Sequence, residues 1–384
     1  LTRFLAVHAS TADPNMRQGI EHSVADPFLY LESVPVLESA GARAVVVRAL
    51  ESQRMEAVPG LRVHTIEALS GRPGVRPGAG NAELYAEALR DLGASALAVP
   101  PDFPVALADE LRALGVGLEV AADLFVERRR RKSDTQVEGA RRAGRAAMAG
   151  VSLVSDALAR ADVREGGRLY LEGEPLTCER LKVAIRHVWL DLGCEGSEMI
   201  VAHGPQTCIG HHSGSGTIRT GEPVTVDICP RDLATGIYSD VTRTFVHGEV
   251  NDELRTYYEV VKQSYDLVIE HARPGITAAE LHRISAEPIA QAGFRTQLDR
   301  QPGEVLLEGY FHSLGHGIGL DIHEFPALNQ NDTVLQAGEI LAVEPGCYRQ
   351  GFGGVRLEDC IVLTEDGNEV LTEHPFELTP VAAT

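Results

Sequence analysis

Residues 224–244 read VTVDICPRDLATGIYSDVTRT. Val224, Val226 and Ile228 alternate with polar residues before the turn signal PRDLATG, and Val241 opens a second β-branched run after it. That pattern fits two short strands joined by a turn. Side chains on a strand alternate between its faces, so Asp227 and Asp240 are expected on one face of a hairpin, with Val and Ile on the other. Two carboxylates so placed repel each other unless solvent or a cation neutralises them. Taken alone, the pair reads as a solvated acidic edge.

The surroundings bound what the pair can be. The chain has 384 residues, 44% hydrophobic and 23% charged, which suits a folded protein with two or three domains. Its 35 Lys and Arg face 55 Asp and Glu, a formal charge of -20. A surface of that sign repels phosphate backbones and anionic lipids, so neither nucleic acid nor membrane is expected as a partner. No apolar run approaches the ~18 residues of a membrane span, and the opening LTRFLAVHAS lacks the pattern of a secretory leader. Six scattered cysteines without a CxxC pair suit reduced thiols in the cytoplasm. The one basic run, Arg128 to Lys132, is expected to be a solvated approach to a helix.

Residues 1–126 alternate strand-like runs (AVVV near Val45, ALAV and GLEV) with amphipathic segments that end in Gly, an α/β layer pattern. FLAVHASTADPN has no Gly-rich turn, which argues against dinucleotide binding, so this region is expected to be an accessory N-terminal domain. Residues 127–384 form the expected second domain. Ser133 and Gln136 make a capping box that opens a long helix, a second helix carries Leu181, Ile185 and Trp189, and strands follow. From Asn251 the order recurs: a helix stops at Arg273-Pro274-Gly275, a Thr277/Glu280 box opens another that closes at Gly293, and strands follow again. Two helices then strands, twice over, suggests duplicated halves with a site where they meet.

The second half adds His316 in HSLGHGIGL, Glu344 in ILAVEPG and Glu358 in GVRLEDCIVL. Glycines around His316 leave room for close backbone or ligand approach, and HSLGH lacks the Glu of an HExxH zinc helix. Asp227, Asp240, Glu344 and Glu358 carry four negative charges, which two divalent cations balance, with His316 as a neutral ligand. Mostly oxygen donors with one imidazole favour Mn(II), with Co(II) or Zn(II) as other options. A metal pair about 3.5 Å apart suits hydrolysis. Arg356 is placed to pair with the acidic cluster, and Tyr238 and Thr242 flank Asp240, where they can orient ligands or water.

GIYSDVTRTF, HSLGHGIGLDIHEFP, AVEPGCY and GGVRLED together resemble the signature blocks of the M24 metallopeptidases, specifically the Xaa-Pro peptidases aminopeptidase P and prolidase, over roughly residues 133–370. The resemblance implies an α/β N-terminal domain and an α+β pita-bread catalytic domain with pseudo-twofold duplicated halves. It makes Asp227, Asp240, His316, Glu344 and Glu358 the ligands of two metal ions, with Asp240 and Glu358 bridging and Glu344 taking a proton from the attacking water. The substrate histidines fall on His211, His312 and His323; His212 competes with His211, which is preferred for its distance to GSG. Proline-containing peptides are the implied partners and a homodimer the implied assembly.

Two departures stand out. The spacing of 13 between Asp227 and Asp240 exceeds the common one, so the turn is expected to bulge. Where prolidases often place an Arg, this chain has Ala327, Leu328 and Asn329, which tilts the expectation towards an aminopeptidase of the P type, with an Xaa-Pro dipeptidase as the alternative. A methionine aminopeptidase, a metal-free creatinase-like hydrolase and a non-catalytic peptide-binding module share the fold; the large N-terminal domain and five intact ligands argue against them.

Overall fold

The computed structural model describes residues 2–34, 41–196 and 198–382, and its contacts divide the chain into two units, Leu1–Arg129 and Arg130–Thr384. The first unit holds a six-stranded sheet of β1 (Thr2–Ala9), β2 (Phe28–Ser33), β3 (Arg43–Val47), β4 (Leu61–Thr65), β5 (Ala94–Val99) and β6 (Gly117–Val120), in the order β4-β3-β2-β1-β5-β6. Its pairing is mixed: β1 runs antiparallel to β2 and parallel to β5. Phe4, Ala6, Leu29 and Leu31 pack in one core, and Leu5, Val7, Phe28 and Tyr30 in another. Both faces of the sheet are therefore covered, which is why its strands read as nearly continuous apolar runs.

The second unit repeats one plan. Helix α1 (Asp134–Ala159) starts at the Ser133/Gln136 capping box and α2 (Cys178–Asp191) buries Leu181, Ile185 and Trp189. They precede an antiparallel sheet of β7 (Met199–His203), β8 (Pro223–Ile228) and β9 (Val241–Val246). Helices α3 (Asp252–His271) and α4 (Ala278–Gln291) follow; the Thr277 hydroxyl accepts from the Glu280 N–H. They precede β10 (Gly315–Gly317), β11 (Glu324–Leu328), β12 (Ile340–Val343), the ribbon β13 (Gly346–Arg349) with β14 (Gly353–Arg356), and β15 (Asp359–Leu363). Each sheet buries one face under its helices.

The hairpin of the opening stretch is present: β8 and β9 pair antiparallel with Asp227 opposite Thr242. Its extra residues are absorbed by a small ladder in which Arg231–Asp232 pairs with Cys194–Glu195. Asp232 accepts from the Thr235 N–H at 2.8 Å and pairs with Arg142 of α1 at 2.9 Å, so the bulge is fastened to the helix. A backbone bridge joins the halves: the Glu358 N–H donates to the Thr242 carbonyl at 3.0 Å and the Thr242 N–H to the Glu358 carbonyl at 3.3 Å. Behind it Arg243 and Asp359, each 1% exposed, form a buried pair at 3.0 Å.

The basic run departs from expectation. Arg130 and Lys132 are buried, not solvated. The segment entering α1 runs against the second half's strands, where the Lys132 N–H donates to the Gly338 carbonyl at 2.8 Å. Glu339 and Glu324 are buried there, and a buried carboxylate without a cation is costly; Arg130 and Lys132 supply the cations. All six cysteines are buried free thiols. Among the described residues no helix is long and apolar enough to cross a membrane.

Candidate active site

The five expected ligands reach one cavity from the ends of strands in both halves. Asp227 sits near the end of β8, Asp240 just before β9, His316 within β10, Glu344 directly after β12 and Glu358 between β14 and β15. All five line a cavity of about 1060 Å³. His316 is seated between two partner strands that approach closely: a side chain at Gly315 would strike the Ala342 carbonyl and one at Gly317 the Phe325 carbonyl.

Ligand atoms of Asp240, His316 and Glu358 all lie within 4.8 Å of one another. Burial first, then the charges of Asp227 and Glu344, push the Asp240 carboxyl well above the usual carboxylate range. Burial, then Asp240, Glu344 and Asp227, do the same to Glu358. Glu344 is pushed up to about 8 by burial and Asp227, against the opposing pull of Arg356. The Oδ1 atom of Asp240 is buried without a hydrogen-bond partner. His316 points Nδ1 at the Gly317 carbonyl at 3.1 Å, so Nδ1 carries the hydrogen and Nε2 keeps its lone pair. Converging buried carboxylates, an orphaned oxygen and an imidazole in the ligating tautomer fit a bound cation. Asp227 and Glu344 stand outside the tight group, and Asp227 is held by Arg356.

Arg356 opens a chain whose proton positions are fixed by its ends. Its Nη2 donates to Asp227 and its Nη1 to the Tyr348 oxygen at 3.0 Å. Tyr348 is within 2.9 Å of His312 Nε2, and His312 Nδ1 is 2.8 Å from the Ser313 carbonyl. A guanidinium only donates and a carbonyl only accepts. Tyr348 therefore donates to Nε2, and Nδ1–H donates to Ser313. Burial, aided by Arg356, lowers His312 to about 3, so the ring is neutral. With both nitrogens committed, His312 offers the cavity its ring, beside Phe311 at a centroid distance of 5.5 Å.

The remaining candidates separate. His211 lines the cavity, whereas His212 Nδ1 accepts from the Gly214 N–H at 3.0 Å and so belongs to its own loop. His323 lines the cavity, its ring meeting His316 edge-on at 4.4 Å. Thr242 donates to Glu358 Oε2 at 2.6 Å. Tyr238 is not among the lining residues; it packs on an apolar cluster with Ile318 and Ile340, under Arg231. Tyr238 bridges back to Arg231, outside the β8–β9 ladder that starts at Val241, so strand alternation does not carry from Thr242 back to Tyr238. Tyr348 and Phe311 were not singled out from sequence. Tyr348 had a signal: Gly354, opposite it in the ribbon, is bare because a side chain there would strike the Tyr348 ring.

The model of metallopeptidase family M24 matches residues 138–365. The chain belongs to metallopeptidase family M24. Several of the relatives it matches are named Xaa-Pro dipeptidase. It is 39% identical over 183 residues to an Xaa-Pro dipeptidase of Lactobacillus delbrueckii subsp. lactis, covering 47% of this chain and 46% of the relative. It is 32% identical over 352 residues to the probable dipeptidase PepE of Mycobacterium tuberculosis, covering 90% and 84%. The chain thus spans about half the length of the first of these relatives and most of the second. The X-Pro aminopeptidase structure from Thermotoga maritima superposes with a TM-score of 0.80 over 99% of this chain and 98% of that one, at 20% identity, a likeness of fold. The M24 architecture accounts for the two helix-and-sheet halves and for ligands drawn from both.

Proposed function

We propose that this M24 protein is a metal-dependent exopeptidase that cleaves the bond before proline, acting on Xaa-Pro dipeptides. The observation that carries the metal dependence is the Asp240, His316, Glu358 group with its orphaned Asp240 oxygen. The dipeptide preference draws on the relatives, several of which are named Xaa-Pro dipeptidase. Asp227, Asp240, His316, Glu344 and Glu358 would hold two divalent ions, Mn(II) first. When bound, such ions polarise a carbonyl and acidify water.

The chain's own residues do the rest. Arg356 and Thr242 hold Asp227 and Glu358 in place by direct hydrogen bonds. Glu344, a carboxylate on the cavity wall, is suited to take a proton from water and return it to the leaving proline nitrogen. Phe311 and the ring of His312 offer an apolar wall to a proline ring. His211 and His323 face the same space, as donors to the substrate carbonyl.

A second reading, cleavage of longer peptides, is favoured by the missing Arg at Ala327–Asn329 and by a cavity of about 1060 Å³, ample for more than two residues. Hydrolysis of Ala-Pro and of a longer Xaa-Pro-Xaa peptide, after chelation and with or without Mn(II), separates the two. Cleavage of the tripeptide alone reverses the dipeptide preference, and no metal-dependent cleavage of either ends the exopeptidase reading.

A further inference from the structure

We propose that Lys132 is a positioning residue for His323, tying the segment that enters the catalytic unit to the substrate side of the cavity. This rests on the proposed reaction only in that His323 is taken to meet the peptide.

Lys132 lies just past the boundary at Arg129. Its ammonium is 3.1 Å from Glu324 Oε2, and both side chains are 2% exposed. Glu324 follows His323 directly, and its other oxygen accepts from the Asp321 N–H at 3.1 Å. One oxygen thus closes the loop between β10 and β11 on itself, and the other ties that loop to Lys132. Gly319 leaves the room the pair needs: a side chain there would come within 2.6 Å of Glu324 Oε2 and 2.7 Å of the Lys132 stem. Glu324 opens β11 drawn inward on Lys132, and His323, the last residue of the bend before it, is exposed to the cavity and meets the His316 ring. The position of His323 depends on its backbone, and that backbone is set by the pair.

The test uses the metal-loaded full chain. Lys132→Met is expected to lower kcat/KM for an Xaa-Pro dipeptide on the order of 10- to 100-fold, the scale of a small misplacement, with bound-ion stoichiometry unchanged. Lys132→Met/Glu324→Gln removes both buried charges and is expected to recover the melting temperature but not kcat/KM. On a His323→Ala background, Lys132→Met is expected to change kcat/KM by less than about twofold. Recovery of activity together with stability in the double variant, or the full loss repeated on His323→Ala, overturns the proposal. An inactive wild type ends the reading of the reaction alone. The tether is then decided by the His323 ring resonance: displacement in Lys132→Met supports it, and no displacement overturns it.

Discussion

Replacing Arg130 by Met distinguishes a buried basic run from a solvated one. Arg130 is bound to Glu339, which is 0% exposed, donates to the Val334 carbonyl, and lies 4.9 Å above the Phe325 ring. Without the guanidinium, Glu339 escapes the cost of a buried charge by taking a proton, so protonation sets the ceiling of the penalty. Starting from the usual value of 4.5 and at ~1.36 kcal/mol per pH unit, that ceiling is about 3.4 kcal/mol at pH 7. The lost carbonyl bond adds about 1 kcal/mol at any pH. Burial already raises Glu339 in the native protein, and removing Arg130 raises it further. A carboxyl raised in the folded state costs stability as pH climbs above its unfolded value. Because the native protein already carries part of that cost, the variant's deficit is expected to grow from about 1 kcal/mol at pH 5 to at most about 4 kcal/mol at pH 7. Urea unfolding followed by fluorescence of Trp189 reads this directly, since it is the only tryptophan and is buried in the same unit. A loss below ~1 kcal/mol at pH 7, the worth of a surface pair, or a deficit equal at both pH values would refute the reasoning.

Other outcomes follow from the site. Asp240→Asn should abolish metal-dependent turnover and lower bound-metal content, while the chelated protein melts no lower than wild type, because a buried charge has been removed; metal analysis and calorimetry check both. Tyr348→Phe breaks the chain from Arg356 to His312 and should reduce kcat/KM by about tenfold, with metal content unchanged. His211→Ala should lower kcat/KM on the order of 100-fold, whereas His212→Ala should leave it within about threefold and lower the unfolding free energy by about 1 kcal/mol; equal losses in the two would contradict the separation of their roles.

What could be read in the chain depended on the range of the contact involved. Helix starts such as Ser133 and Thr277 were legible because a cap is decided within four residues. The acids and the histidine that converge on the cavity were legible because each sits in a short block with its own glycines or strand pattern. Lys132 and Arg130 were misread because their partners, Glu324 and Glu339, lie in the other half, and a basic run carries no mark of distant buried acids. Tyr238 was misplaced because alternation was carried through a stretch that had left the ladder. His312 was legible as a residue of the site but not as a ring with both nitrogens committed, since that depends on Tyr348 and on a backbone carbonyl.

The bridge between Thr242 and Glu358 has a bearing on how the protein is made. Asp227 and Asp240 belong to one half and His316, Glu344 and Glu358 to the other, so neither half alone offers the full set of donors. During synthesis the first two acids emerge long before their partners, and the tight group cannot form until that bridge closes. If these residues hold ions as proposed, ion capture would act as a checkpoint on docking of the two halves: a chain whose halves have failed to meet would gain none of the stabilisation that a bound ion confers on the finished one.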